Sequence, residues 1–417
     1  MLVRRRRVAP SDEHRLHGRL RHALVDTGGR AIIEIDFGLH RMFGVYIHFP
    51  YCRKRCPYCD FAVHARARIP HEQYAAAVRR ELAERAPLYT GRRLRSIYFG
   101  GGTPGLWRAD CLGEVLAAVR AGFAPESEAL EVTVEANPDD LPREQLEGLR
   151  AAGVNRLSLG VQSLDPKHLA TLGRTHARGE AERAVSEARA AGFDNISVDL
   201  MFGIPSQTLT ELEADLAGVL AMEPEHVSVY NLTVEDRTAF GGLQRAGMLS
   251  VPDSGVCAEM YERIDARLTA AGVLHYEISS WARPGRRAVH NTLYWTGGEY
   301  LGLGCSAHSF RRLPDGSGER FSVARSVDEW LRAPSVATRE TLDPAALERE
   351  AVWLGLRLLD GIDRAAHTRL YGADPVLTHG EEIDRLVREG LVTVEPERLR
   401  LTPRGVLFAD EVGARFV

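Results

Sequence analysis

Tyr46-Ile-His-Phe-Pro-Tyr-Cys52-Arg-Lys-Arg-Cys56-Pro-Tyr-Cys59-Asp-Phe61 places three cysteines at C-x3-C-x2-C spacing just past a short apolar run, Val45 to Phe49. A run of that length reads as a strand, which puts the cysteines on the loop that leaves it. Three thiolates on a short loop can hold three irons of a cubane and leave the fourth iron open to an exogenous chelating ligand. A ferredoxin-type cluster takes four cysteines, and a structural zinc site wants a fourth Cys or His near by. His48 or His64 would complete the zinc alternative. Arg53, Lys54 and Arg55 are expected to offset the negative charge and lower the thiol pKa values.

Outward from this loop, apolar runs alternate with amphipathic stretches. After Val45–Phe49 comes a helical pattern from about Pro70 to Ala86. Ser96–Phe99 precedes a helix near Ala109 to Ala121, and Leu130–Glu135 precedes one beginning near Pro142. Asn155–Leu159, Ile196–Leu200 and Val227–Asn231 continue the series, giving six strand–helix repeats. Such alternation predicts a parallel sheet with right-handed crossovers. A doubly wound sheet and a barrel both fit, although six units are too few for a complete eight-unit barrel. No G-x-G-x-x-G follows the first strand, so a dinucleotide fold is disfavoured. Polar and Gly-rich residues sit just past the strands, at Cys52, Gly100 to Thr103, Glu135 to Pro138, Gln162 and Asp199. Both architectures build their sites at that end.

Beyond residue 235 the pattern loosens. Gly241 to Gly247 and Pro284 to Arg287 read as turns, and Leu313-Pro-Asp-Gly-Ser-Gly318 as a surface loop. A helix is expected from about Asp343 to Asp360, then a helix at Ile383 to Glu389 and a hairpin from Leu391 to Thr402. This succession suggests a winged-helix-like α+β domain, for packing rather than DNA, since no basic stripe accompanies it. The expected division is an extension at 1–41, a core at 42–235, a connecting region at 236–342 and a C-terminal domain at 343–417.

The 417 residues carry 44% hydrophobic and 26% charged side chains and a net charge of −4, which gives no global pointer to nucleic acid or membrane. No apolar run reaches the ~18–20 residues needed to span a bilayer. Lys54 and Lys167 are the only lysines, so the run Arg4 to Arg7 reflects an arginine-rich composition. Residues 1–41 are expected to be a loosely ordered extension, as from a start codon placed too early. Six cysteines, three of them crowded together, argue for a metal site in a reducing cytoplasm rather than a disulfide framework.

The cysteine loop, embedded after the first strand of a parallel α/β repeat, resembles the radical-SAM superfamily. With it come Phe99-Gly-Gly-Gly-Thr-Pro104, Val134-Glu-Ala-Asn-Pro138, Ser158-Leu-Gly-Val-Gln162, Leu172-Gly-Arg-Thr-His176 and Ser197-Val-Asp-Leu-Met-Phe-Gly-Ile-Pro-Ser-Gln207. Together these resemble the HemN/HemW branch, over roughly residues 44 to 417. The resemblance implies a partial (β/α)6 TIM-like barrel with a C-terminal winged-helix-like domain. It also implies a [4Fe–4S] cluster on Cys52, Cys56 and Cys59, whose open iron binds S-adenosylmethionine and cleaves it reductively to a 5′-deoxyadenosyl radical. By the same resemblance Tyr46, Tyr58, Gly101, Gly102, Thr103, Glu135, Gln162, Arg174 and Asp199 bind S-adenosylmethionine. The glycines are expected to let backbone approach the ligand, and Arg174 suits its carboxylate or another anionic ligand group.

The branch holds two activities, oxygen-independent coproporphyrinogen III oxidases and HemW-type heme chaperones. The oxidases carry a fourth cysteine, C-x3-C-x2-C-x-C, where this chain has Phe61. His290-Asn-Thr-Leu-Tyr-Trp295 instead resembles the H-N-x-x-Y-W motif of the chaperones. The expected function is therefore heme binding and transfer to acceptor proteins, with His290 ligating or contacting heme. His308 is a weaker candidate, and Cys305 is expected to be a buried small residue. Reduced flavodoxin or ferredoxin is the expected electron donor, and the alternative is radical decarboxylation of coproporphyrinogen III.

Overall fold

The computed structural model describes residues 42–127 and 129–417; the extension expected at 1–41 lies outside them. Six strands form the parallel core: β1 (Met42–Phe49), β2 (Arg93–Gly101), β3 (Glu131–Ala136), β4 (Arg156–Gln162), β5 (Ile196–Phe202) and β6 (His226–Asn231). Each pairs in parallel with the next, and helices such as His71–Arg85, Ala109–Gly122 and Arg143–Ala152 make the crossovers. This is the six-unit partial barrel.

Side-chain alternation along the strands divides an apolar face from a polar lumen. On β1, Phe43, Val45, Ile47 and Phe49 are fully buried, in a core shared with Val78, Leu112 and Val115 of the first two helices. Each such side chain contributes roughly 1.5–3 kcal/mol. The lumen side carries Tyr98, Glu135, Arg156, Ser158, Gly160, Gln162, Asp199, Ser228 and Tyr230, all of which line one cavity. Helix ends are stopped locally: Gly153 takes the left-handed conformation (φ +101°) after Arg143–Ala152, and Thr208 and Glu211 form a capping box ahead of Leu209–Ala221.

The stretch 236–342 extends this sheet at both ends. β7 (Leu274–Glu277) and β8 (Ser280–Ala282) add antiparallel strands beside β6. At the other edge β9 (Glu299–Leu303) pairs in parallel with β1. The antiparallel strands β10 (His308–Arg312), β11 (Gly318–Val323) and β12 (Val336–Leu342) follow, completing twelve strands in one sheet among the described residues. Leu313 to Ser317 is the turn between β10 and β11, with Asp315 accepting from the Ser317 amide at 3.0 Å. One expected turn is a helix: Ala239–Arg245 is capped by the Thr238 hydroxyl. A Cβ at Gly241 would come within 2.4 Å of the Glu235 carbonyl oxygen, so that glycine serves close packing rather than chain reversal.

The C-terminal part begins with helix Pro344–Leu356, capped by Asp343. It ends in helix Gly380–Arg388 followed by β14 (Val392–Val394) and β15 (Arg398–Leu401), with β13 (Ile362–Asp363) on the far side of β15. A separate apolar cluster of Val352, Leu356, Ile383, Leu386 and Leu399 holds it together. The arrangement is the winged-helix-like one. Among the described residues, no helix is long and apolar enough to cross a membrane.

Candidate functional site

A cavity of about 360 Å³ opens at the carboxyl ends of the core strands. It gathers Cys52, Cys56, Cys59, Tyr58, Gly101, Gly102, Thr103, Glu135, Gln162, Arg174 and Asp199 from stretches far apart in sequence. Tyr46 belongs elsewhere, on the wall of a neighbouring cavity of about 860 Å³.

The cysteine loop is clamped at its base, where Tyr51–Cys52 pairs with His64–Ala65 and the His64 amide donates to the Pro50 carbonyl at 2.7 Å. The Cys59 amide closes a turn on the Cys56 carbonyl at 3.2 Å. The zinc alternative does not fit. His48 is engaged at both ring nitrogens, with the Tyr46 hydroxyl at 3.1 Å and the Ala62 carbonyl at 3.0 Å. Among the described residues the three sulfurs do not gather within 4.8 Å of one another, whereas one tetrahedral zinc would draw thiolates to roughly 3.8 Å apart. Wider spacing suits a cluster. So do donors aimed at sulfur: the Thr103 hydroxyl lies 3.4 Å from Cys52 Sγ, and the Arg174 guanidinium 3.9 Å from Cys56 Sγ.

The expected lowering of the thiol pKa values is corrected. Burial pushes Cys52 up to about 11, with repulsion from its neighbouring thiols adding to it, and burial also raises Cys59. Arg53 is paired with Asp140, and Arg55, which donates to the Cys59 carbonyl at 3.2 Å, draws the Cys59 thiol down by less than its burial raises it. A metal taken up by these thiols would have to displace their protons.

The glycine turn is also explained differently. A Cβ at Gly101 (φ +109°) would lie 2.4 Å from the His48 ring, and one at Gly102 2.7 Å from the Tyr51 carbonyl oxygen. The glycines are required by the protein's own packing. Their amides are committed as well, Gly101 to Glu135 at 3.0 Å and Gly102 to the Phe49 carbonyl at 2.7 Å.

Two buried carboxylates face the lumen. Glu135 accepts from the Tyr98 hydroxyl at 2.7 Å, and burial still pushes it up to about 7. Asp199 accepts from Ser158 Oγ at 3.1 Å, and burial raises it too. Carboxylates so placed suit a cationic amine or hydroxyls. Arg174 donates to the Gly160 carbonyl and to Asn137 Oδ1, each at 2.5 Å. Gln162 holds φ +68°, uncommon for a residue with a Cβ, and backbone held this way clusters at ligand sites.

Sequence reading passed over Arg156. It is 2% exposed, lines the cavity, and its Nε has no partner. Among the described residues it forms no salt bridge. The signal was present in Arg156-Leu-Ser158-Leu-Gly160-Val-Gln162, whose alternate residues face the lumen. A buried guanidinium without a protein partner is suited to a ligand anion.

The segment around His290 forms helix Val289–Trp295. His290 is 1% exposed, with Nδ1 2.8 Å from Ser96 Oγ and Nε2 2.8 Å from the Tyr294 hydroxyl. Tyr98 stacks on the ring at 5.0 Å, and burial lowers its pKa to about 3, so it is neutral. In this arrangement both ring nitrogens are engaged within the protein, and His290 turns neither of them to a cavity. Its neighbours reach the surfaces it does not. Asn291 lines the cysteine cavity, Tyr294 the larger cavity, and Leu293 and Trp295 a third of about 260 Å³. Cys305 is fully buried, as expected.

Glu131 on β3 holds this helix, accepting from the amides of Val289 at 3.0 Å and His290 at 2.9 Å. Glu131→Ala is expected to cost about 2–4 kcal/mol, because two amides at the start of the helix lose a charged acceptor. A urea midpoint shift worth less than about 0.5 kcal/mol would show that the carboxylate does not hold the helix.

The radical SAM superfamily model matches residues 46–217, and the HemN C-terminal domain model matches residues 342–408. The heme chaperone HemW of Bacillus subtilis (strain 168) is 34% identical over 382 residues, 90% of this chain and 99% of that protein. The heme chaperone HemW of Mycobacterium tuberculosis (strain CDC 1551 / Oshkosh) is 38% identical over 378 residues, 89% of this chain and 93% of that one. The solved structure of coproporphyrinogen III oxidase (HemN) from Escherichia coli superposes with a TM-score of 0.76 at 22% identity, covering 92% of this chain and 91% of that one. That likeness speaks to the fold alone.

Proposed function

This chain belongs to the HemW heme chaperone family of the radical SAM superfamily, and from that premise we propose that it is a heme carrier that binds heme and hands it to acceptor proteins. The kinship over nearly the full length of named heme chaperones carries the reading. Phe61 supports it, standing two residues past Cys59 where the decarboxylase pattern needs a fourth cysteine. Its side chain is 66% exposed and lies at the boundary of both cavities.

In this reading Cys52, Cys56 and Cys59 hold a [4Fe–4S] cluster. Tyr58, Gly101, Gly102, Thr103, Glu135, Gln162, Arg174 and Asp199 surround S-adenosylmethionine. When bound, the pair supplies one-electron reductive chemistry at the sulfonium. Glu135 and Asp199 set the polarity of the lumen for a cationic ligand, and the Thr103 and Arg174 donors offset charge at the sulfurs. Tyr46 and His290 act from the wall between the two cavities. The 42–235 barrel, the connecting stretch and the 343–417 domain work as one scaffold, in a reducing cytoplasm with reduced flavodoxin or ferredoxin as donor.

The test is anaerobic reconstitution followed by two assays on the same preparation. Hemin titration is expected to give a saturable Soret band. Incubation with coproporphyrinogen III, reductant and S-adenosylmethionine is expected to give no protoporphyrinogen. Turnover to protoporphyrinogen without hemin binding would replace the carrier with the oxidase.

A further inference from the structure

The cavity that received Tyr46 and Tyr294 has more than twice the volume of the cluster cavity, about 860 against 360 Å³. It lies at the upper end of the ~300–1,000 Å³ range of cofactor pockets. Its shape follows from two walls. On one side β10 and β11 present alternate residues, with His308, Phe310 and Arg312 on the first strand facing in. On the other, Leu347, Glu350, Ala351 and Leu354 repeat at i, i+3, i+4 and i+7 along Pro344–Leu356. A sheet face opposite a helix face makes a slot, and a slot with apolar walls suits a flat macrocycle. Asp60, Phe61 and Ala62 of the cysteine loop border it, so its occupant lies beside the cluster.

Among the described residues, two basic side chains of the slot have no protein partner. His308 is exposed and, among the described residues, makes no side-chain hydrogen bond or ion pair. Burial of part of the ring, with Arg320 and Arg325 near by, lowers its pKa, which keeps a nitrogen lone pair available for a metal. Arg325 also lines the slot and makes no salt bridge among the described residues. The other two arginines are occupied, Arg320 by Glu350 at 2.6 Å and Arg312 by the Tyr371 hydroxyl at 2.5 Å.

We propose that this slot is the heme seat, with the His308 imidazole as an axial iron ligand and Arg325 as the partner of a propionate. The inference rests on the carrier reading and gives the cargo a place. It also gives the H-N-x-x-Y-W segment a part: His290 is a positioning residue that fixes the Tyr294 hydroxyl in the slot wall.

The experiment is hemin titration of the full, cluster-reconstituted chain, read by Soret position and by EPR of the ferric state. His308→Ala is expected to weaken hemin binding at least about tenfold, and His308→Cys to give the spectrum of a thiolate-ligated heme. Arg325→Ala is expected to weaken binding about threefold to tenfold with an unchanged ligand signature. His290→Ala is expected to lower affinity and keep the histidine signature. Neither His308 nor Arg325 has a side-chain partner to lose, so both variants should fold. Wild-type hemin binding with an unaltered spectrum in His308→Ala and His308→Cys overturns the seat and leaves the carrier standing. A change of ligand signature in His290→Ala likewise overturns it. No hemin binding by the wild type overturns both.

Discussion

Replacing any one of Cys52, Cys56 or Cys59 with Ala is expected to leave a folded chain that fails to hold iron. None of the three belongs to an apolar core cluster, and each is partly exposed on a loop clamped by backbone pairing. Their loss should therefore shift stability by no more than about 0.5 kcal/mol. The effect on the metal is of another order. Two thiolates cannot secure a cubane that has no fourth protein ligand to fall back on. After anaerobic reconstitution the wild type should carry about four irons and four sulfides per chain, and each variant close to none. A variant retaining the wild-type iron content would show that the cluster is held by other residues.

The second large effect is expected at Arg156. Its guanidinium is buried in the lumen without a salt bridge among the described residues, between the raised carboxylates of Glu135 and Asp199. Arg174, the residue first matched to the carboxylate of S-adenosylmethionine, already donates to Gly160 and Asn137. Arg156 is thus the cation with donors to spare. Arg156→Leu should weaken S-adenosylmethionine binding to the reconstituted chain by about a hundredfold, as removal of one partner of a buried charged contact does. Stability should change little, because the cost of burying the guanidinium is removed while Glu135 and Asp199 lose a cation that draws their pKa values down. Calorimetric titration and a thermal melt distinguish the cases. Unchanged affinity together with a lower melting temperature would make Arg156 structural.

The parts of the fold that a sequence pattern can carry were legible. Six apolar runs separated by amphipathic stretches gave β1 to β6 and their crossovers, since each run buries its own strand under a neighbouring helix. The sheet's extensions were not legible. β9 joins β1 across some 250 residues of chain, and nothing within Glu299–Leu303 names that partner. β7 and β8 are short strands, of four and three residues, whose alternation is too brief to register.

At the site, the C-x3-C-x2-C spacing pointed to the cysteine trio, but the charge state of the thiols depended on burial and on where Arg53 went. Asp140 lies far from Arg53 in sequence, so its capture of that charge could not be read in advance. His290 shows the same limit: its motif was visible, while Ser96, Tyr98 and Tyr294 around the ring were assembled only by the fold. Arg156 differs, because its alternation with Ser158, Gly160 and Gln162 lies within one strand, where Leu157, Leu159 and Val161 mark the opposite, apolar face.

A chain that carries heme must also give it up to an acceptor. The most direct measurement is transfer: load the cluster-reconstituted protein with heme, remove the excess, mix it with a heme-free b-type acceptor and follow the Soret band of the acceptor after separation. Heme is expected to move to the acceptor faster than it dissociates from the carrier alone. Heme that stays with the chain, or reaches the acceptor no faster than free dissociation allows, would contradict it.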